Sequence, residues 1–159
     1  MLHYYKLYWL NALKIHGRAR RKEFWYPFLA TLIIEIVASI LNSVLPLPSL
    51  LTYTIATVFS IVNLVPSFTV TVRRFHDLDM TMKIPVILFV FSILADINDL
   101  IPSININLTF NNVINIILAI IFIVIVAAFF ILGIFTLIVC CTRGNEQSNK
   151  YGINPKYVN

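Results

Sequence analysis

Residues 24–72 read FWYPFLATLIIEIVASILNSVLPLPSLLTYTIATVFSIVNLVPSFTVTV, two apolar runs separated by the breaker Pro46-Leu47-Pro48-Ser49. The runs, residues 24–45 and 50–72, each hold about 22 residues, enough for a helix to cross a hydrocarbon core of roughly 30 Å. A membrane-embedded helical hairpin is therefore expected. The whole chain agrees with it: of 159 residues, 59% are apolar and 12% charged, against about 45–50% and about 25% in soluble domains. A soluble domain of this size cannot hide so much apolar surface. The composition excludes a disordered tail, a secreted disulfide scaffold and an ordinary nucleic-acid-binding domain, so the formal charge of +5 is read by position and no nucleic-acid partner is expected.

Two further apolar runs follow. Residues 84–101 are interrupted by Asp96, Asn98 and Asp99, and the clean stretch from Ile84 to Ala95 taken alone would also suit a buried or re-entrant segment. Residues 113–141 exceed what a crossing needs and should tilt or protrude. The positive charges decide the topology. Lys6, Lys14, Arg18, Arg20, Arg21 and Lys22 precede the first run; Arg73, Arg74 and Lys83 lie between the second and third; Arg143, Lys150 and Lys156 follow the fourth. The connections Pro46–Ser49 and Pro102–Asn112 carry none, the pattern of four crossings with both termini in the cytoplasm. Three crossings would put the C-terminal positives outside. The basic N-terminal stretch feeds into a full-length span rather than a short apolar segment with a cleavage site, so the first span should be retained. The expected architecture is all-α: one membrane domain over residues 1–159, a four-helix bundle ending in a cytoplasmic tail, residues 142–159.

Residues 3–16 read as an amphipathic interfacial helix. At 100° per residue, Tyr4, Tyr5, Tyr8, Trp9, Ala12, Leu13 and Ile15 share a broad face opposite His3, Lys6, Asn11 and Lys14, although Leu7 and Leu10 blur the polar side. An aromatic anchor orienting the first span is favoured over a lipid-surface sensor.

Two short motifs face the same side. Gly17-Arg18-Ala19-Arg20-Arg21-Lys22-Glu23-Phe24-Trp25 leads into the first span, and Arg73-Arg74-Phe75-His76-Asp77 closes the second. With Gly144, Asn145 and Asn149-Lys150-Tyr151-Gly152-Ile153-Asn154-Pro155 near the end, their order resembles the bacterial domain-of-unknown-function 805 family of small inner-membrane proteins. In that family, G-R-x-x-R-x-E-F-W and R-R-L-H-D elements flank the first hairpin and the tail carries G, N, Y-G and P. Phe75 stands where Leu is commoner, and Leu78–Lys83 lacks the small-residue and Trp character often found there. The resemblance implies a fold and a location, the bacterial inner membrane, but no reaction.

The residues themselves suggest chemistry. On a helix continuing past Val72, Arg73, His76 and Asp77 share a face, and Arg74 reaches Asp77 at i+3. Arg18, Arg20 and Arg21 lie on the same side, with Glu23 and Asp77 the nearest acids. Reciprocal Arg–carboxylate pairs locking the segments together are the favoured reading; the alternative is convergence of several Arg on an anionic lipid head group. A metal or hydrolytic centre at His76 and Asp77 is disfavoured, because His16, Asp79, Cys140 and Cys141 offer no recognised ligand spacing. Free thiols are expected for the two Cys. No Gly-rich phosphate loop or serine-nucleophile motif is present, no cofactor is expected, and the Asn107-Leu108-Thr109 sequon has meaning only in a glycosylating secretory pathway.

Glu35, near the middle of the first span, is the most informative intramembrane residue. Its apolar neighbours offset the roughly +3 kcal/mol that a central charge costs. Thr31, Ala38, Ser39 and Asn42 form a small polar stripe beside it, and Tyr53, Ala56, Ser60, Asn63, Ser67 and Thr71 form another on the second span. Facing stripes would make Glu35, Ser60 and Asn63 a clamp, with Glu35 protonated and hydrogen-bonded. Pro66 should kink the second span and aim the Arg73–Asp77 cluster. Asp96 and Asp99 could continue an acidic path from Glu35, but inverted repeats and paired broken helices are lacking.

The expected function is therefore that of a non-enzymatic, multi-pass inner-membrane protein. Its cytoplasmic cluster (Arg18, Arg20, Arg21, Glu23, Arg73, Arg74, His76, Asp77) serves structure and binds anionic lipid or a protein partner, with a membrane-protein partner or a second copy both open. The alternative is a small transporter or channel using Glu35.

Overall fold

A computed structural model describes residues 1–45, 47–100 and 112–157, with the backbone alone for residues 95, 97–100, 112 and 113. Pro46 of the first breaker, Ile101 at the expected end of the third span, the 102–111 connection with its sequon, the side chains of Asn98 and Asp99, and the last two tail residues lie outside that description.

The described chain contains five helices: α1 (Leu2–Leu10), α2 (Arg21–Val44), α3 (Ser49–Asp77), α4 (Lys83–Leu100) and α5 (Asn112–Cys141). Glu23, three residues past the Arg20 N-cap of α2, reaches back so that its Oε1 accepts the Arg20 backbone N–H at 3.2 Å, placing a negative charge where the helix dipole favours it. α3 runs through Pro66 and stops at a left-handed residue, Asp79 (φ 61°), as the Leu78 and Met80 N–H groups both turn back to the Phe75 carbonyl.

Among the described residues, three helices are long and apolar enough to cross a membrane: α2, α3 and α5 from Ile114 onward. The expected four-span bundle is thus not established as drawn. α4 is a helix of 18 residues, and among the described residues its apolar part covers Lys83–Leu94. Bulky side chains along the spans face outward, Ile33, Ile40, Phe122 and Phe130 among them, as expected of helices solvated by lipid.

α3 is central and touches all four other helices. Aromatic pairs join its neighbours: Phe68 stacks on Phe89 of α4 at 4.3 Å between centroids, and Phe91 of α4 on Phe129 of α5 at 3.7 Å. The polar stripes of α2 and α3 meet at two levels. Thr52 donates to Asn42 Oδ1 at 3.0 Å, and Asn63 Nδ2 lies 3.5 Å from Thr31 Oγ1, both pairs being equidistant from Leu47 in the connecting turn.

The N-terminal helix departs from expectation. It ends at Leu10, not His16, because the Asn11 carbonyl, which a continuing helix would offer to Ile15, accepts instead from the Lys14 N–H at 3.0 Å and lies 3.5 Å from Thr69 Oγ1. Its aromatic face is the more buried one, Tyr8 being buried and Tyr4, Tyr5, Trp9 and Ala12 half-buried while His3, Lys6 and Lys14 are exposed, although Leu13 and Ile15 are exposed as well. Tyr8 is its anchor. It is buried and donates its hydroxyl to Asn63 Oδ1 at 2.7 Å, burial pushing the phenol pKa well above its ordinary value so that the donor stays protonated. Tyr8→Phe should therefore lower stability by about 1 kcal/mol and speed proteolysis within residues 11–17. An unfolding midpoint in detergent equal to wild type would show that α1 is not tied to the bundle through this bond.

Candidate functional site

The buried residues concentrate at one end, where the segment before α2, the last turn of α3, the end of α5 and the tail converge. Two features of the chain bring them there. Gly17 turns the chain at φ +90°, after which the Ala19 N–H bonds to the Arg73 carbonyl at 3.1 Å. The tail folds back so that the Asn145 N–H reaches the Asp77 carbonyl at 3.0 Å.

At the centre, the Asp77 carboxylate accepts from two guanidinium groups. Arg18 Nε donates to Oδ1 at 2.8 Å, and Arg74 Nη1 donates to Oδ2. All three side chains are nearly inaccessible, at 1% for each arginine and 7% for the aspartate. One carboxylate cannot neutralise two cations, and backbone carbonyls supply the rest of the compensation. Arg74 donates to Cys140 O at 3.3 Å and to Thr142 O, both at the end of α5, where helix carbonyls lack intrahelical donors and carry partial negative charge. Arg18 donates to Gln147 O at 2.7 Å and to Asn145 O in the tail. The pair thus tie α3 to α5, the tail and the segment before α2.

The remaining tail residues close over this centre. Tyr151 stacks on the His76 ring at 3.8 Å and 7° between planes, and His76 Nδ1 lies 3.3 Å from the Gly17 carbonyl. Asn149 donates to the His76 carbonyl at 2.8 Å, and Asn154 donates to the Asn145 and Glu146 carbonyls, each at 3.0 Å. Gly144 is required by space: a Cβ there would collide with the Asp77 carboxylate.

Of the residues singled out from sequence, Arg18, Arg74, His76 and Asp77 meet in this network, and Glu23 lies 3.5 Å from Arg73. Arg18 is thereby committed to internal pairing and is not free at a lipid surface. Arg20 donates to the Pro155 carbonyl, while its Nε is buried without a partner among the described residues. Arg21 is exposed beside it. Arg20, Arg21, Lys22, Arg143 and Lys156 line a cleft of about 240 Å³ whose one acid is Asp77, already held by two arginines.

The intramembrane trio does not come together as drawn. Ser60 faces α4 and donates to Asp96 Oδ1 at 3.0 Å; Asn63 serves Tyr8 and Thr31; Glu35 has no hydrogen-bond or ion-pair partner among the described residues. No group of three or more His, Cys, Asp or Glu among the described residues is placed to hold a metal ion. Cys140 is buried, Cys141 exposed, and both are free thiols.

Comparison with known proteins agrees with this arrangement of motifs: the family model described as "Protein of unknown function (DUF805)" matches residues 12–153, which include the arginine segment, Asp77 and the tail. The chain belongs to the DUF805 family. It is similar to the inner membrane protein YhaI of Escherichia coli strain K12, with 26% identity over 147 residues covering 92% of this chain and 90% of that protein. The protein of the same name from Escherichia coli O157:H7 matches to the same extent. No solved structure matches. The chain is accordingly a multi-pass membrane protein of a family without assigned function, and the family match includes the Asp77 network.

The tail residues and Tyr8 escaped the sequence reading as site members. Asn145 meets Asp77 and Arg18 through its backbone, and the side-chain amides of Asn149 and Asn154 donate to backbone carbonyls, partners that no local spacing reveals. The network yields a test that discriminates between two glycines. Gly144→Ala should lower stability by more than about 2 kcal/mol through overpacking against a buried ion pair. Gly133→Ala, with nothing within 4 Å of the added carbon inside α5, should be neutral or stabilising by up to about 1 kcal/mol. Equal unfolding midpoints for the two variants would contradict the close packing at Asp77.

Proposed function

We propose that this protein is a non-enzymatic inner-membrane protein with both termini in the cytoplasm, whose basic cleft receives the head group of an anionic lipid. The observation that carries the reading is the division of labour among the arginines. Arg18 and Arg74 are consumed by Asp77, whereas Arg21, Lys22 and Lys156 line the cleft with no carboxylate within ion-pair reach among the described residues. Among the described residues, Arg143 pairs only with the exposed Glu146, a screened surface contact. Attraction of about 1 kcal/mol per Lys or Arg close to an anionic membrane surface makes three or more such residues a considerable term.

Topology supports it. All twelve Lys and Arg fall in the N-terminal segment, around the α3–α4 connection or in the tail, alongside four of the seven acids, Glu23, Asp77, Asp79 and Glu146. Internal pairing cannot neutralise that excess, and a cytoplasmic location follows from the positive-inside rule. The start of α2, the end of α3 and the end of α5 are in mutual contact, which favours an even number of crossings and hence a crossing by α4, about 27 Å long at 18 residues.

Two measurements check the reading. A C-terminal alkaline phosphatase fusion should be inactive, since that enzyme requires the periplasm; an active fusion contradicts the topology. Combined replacement of Arg21, Lys22 and Lys156 by Gln should weaken retention of phosphatidylglycerol in native mass spectrometry by about 1 kcal/mol per charge, less at high salt, with the unfolding midpoint unchanged. Unchanged lipid retention contradicts the head-group assignment.

A further inference from the structure

A second cleft, of about 220 Å³, lies between α1, α2 and α3, on the apolar part of the molecule and separate from the basic cleft. Its polar lining is largely self-satisfied. Tyr8 donates to Asn63 Oδ1 at 2.7 Å, and Thr31 donates to the Pro27 carbonyl at 3.0 Å. Glu35, on the same cleft, is exposed and has no partner among the described residues. Phe24 and Phe28, one turn apart on α2, lie at 6.1 Å between centroids with planes 8° apart, two nearly parallel rings lining the same cleft.

The position of Glu35 restricts what could occupy the site. Eleven residues beyond Phe24 on a helix rising about 1.5 Å per residue, it lies about 16 Å into a hydrocarbon core of roughly 30 Å. A lipid phosphate does not reach that depth and would be repelled by a carboxylate. A divalent metal would need further ligands, and the described residues offer no such group. What fits is a positive charge carrying its own apolar body, because ring faces and a carboxylate both attract a cation that hydration releases easily. No other charged residue competes: the lining contributes Tyr8 from α1, only neutral side chains from α3, and Glu35 as the sole charged group on α2.

We propose that this cleft binds a lipophilic monocation, an ammonium bearing alkyl groups, which enters sideways from the bilayer and pairs with the Glu35 carboxylate beside the Phe24 and Phe28 rings.

The test uses the full chain in phosphatidylcholine nanodiscs with tritiated decyltrimethylammonium as probe, whose small head suits the cleft while its chain stays in lipid. Binding above that of empty nanodiscs should saturate at one probe per chain. Glu35→Gln should weaken it at least tenfold and Phe28→Leu severalfold, whereas Asp96→Asn, which alters the acid facing Ser60, should leave it unchanged. Glu35→Gln binding like wild type overturns the proposal, as does equal, unsaturable uptake by loaded and empty nanodiscs. Should Glu35→Gln fail to fold, Phe28→Leu decides: binding equal to wild type overturns the proposal equally.

Discussion

A buried carboxylate shared by two guanidinium groups is the constraint on which the rest of this structure depends. Helices surrounded by lipid gain little by hiding apolar side chains from one another, because lipid tails are as apolar as leucine. Something polar must select their arrangement. Asp77 does so at one end, drawing Arg18 and Arg74 onto itself, and those arginines spend their remaining donors on carbonyls of α5 and the tail. Four segments far apart in sequence become a single unit, and Gly144 is small because it lies against the carboxylate they share.

Buried ion networks need not raise stability above what a well-packed apolar core would give, yet losing one member is costly. That asymmetry suits a small membrane protein with few large side chains buried. Among the described residues, the largest fully buried side chain is Arg74 itself, followed by Phe75. The apolar contacts further along the spans are aromatic pairs between neighbouring helices, and the polar ones are isolated: Asn42 with Thr52, Asn63 with Tyr8, Ser60 with Asp96. Glu35 stands apart from all of these.

Much of this was legible in the sequence. Long apolar runs give the α2–α3 hairpin and α5 directly, and the i, i+3 spacing of Arg74 and Asp77 anticipates their contact. Of the expected polar stripes, Thr31 of α2 and Asn63 of α3 lie together, whereas Ser60 turns to α4 instead. The rest was hidden for physical reasons. Nothing local distinguishes Arg18, which is buried, from Arg21, which is exposed, since both belong to one basic run; the difference arises when the tail folds over the first and leaves the second open. Helical periodicity carried the N-terminal helix too far, because the Asn11 carbonyl is diverted toward Thr69 by a contact 58 residues away. The weak third span reflects real chemistry, as the acids that interrupt its hydropathy include Asp96, a hydrogen-bond partner of α3.

The central claim is that Arg18 and Asp77 act as one unit, and a double-mutant cycle measures it directly. Unfolding free energies of wild type, Arg18→Gln, Asp77→Asn and the double variant would be compared in detergent at fixed pH and salt. Asp77→Asn should cost about 3–5 kcal/mol, because it strands two buried guanidinium groups; Arg18→Gln should cost less, because Asp77 keeps Arg74; and the double should cost less than the sum of the two, a coupling of at least about 1 kcal/mol. Additive losses would show that the two residues stabilise the protein independently and that the shared carboxylate does not hold its segments together.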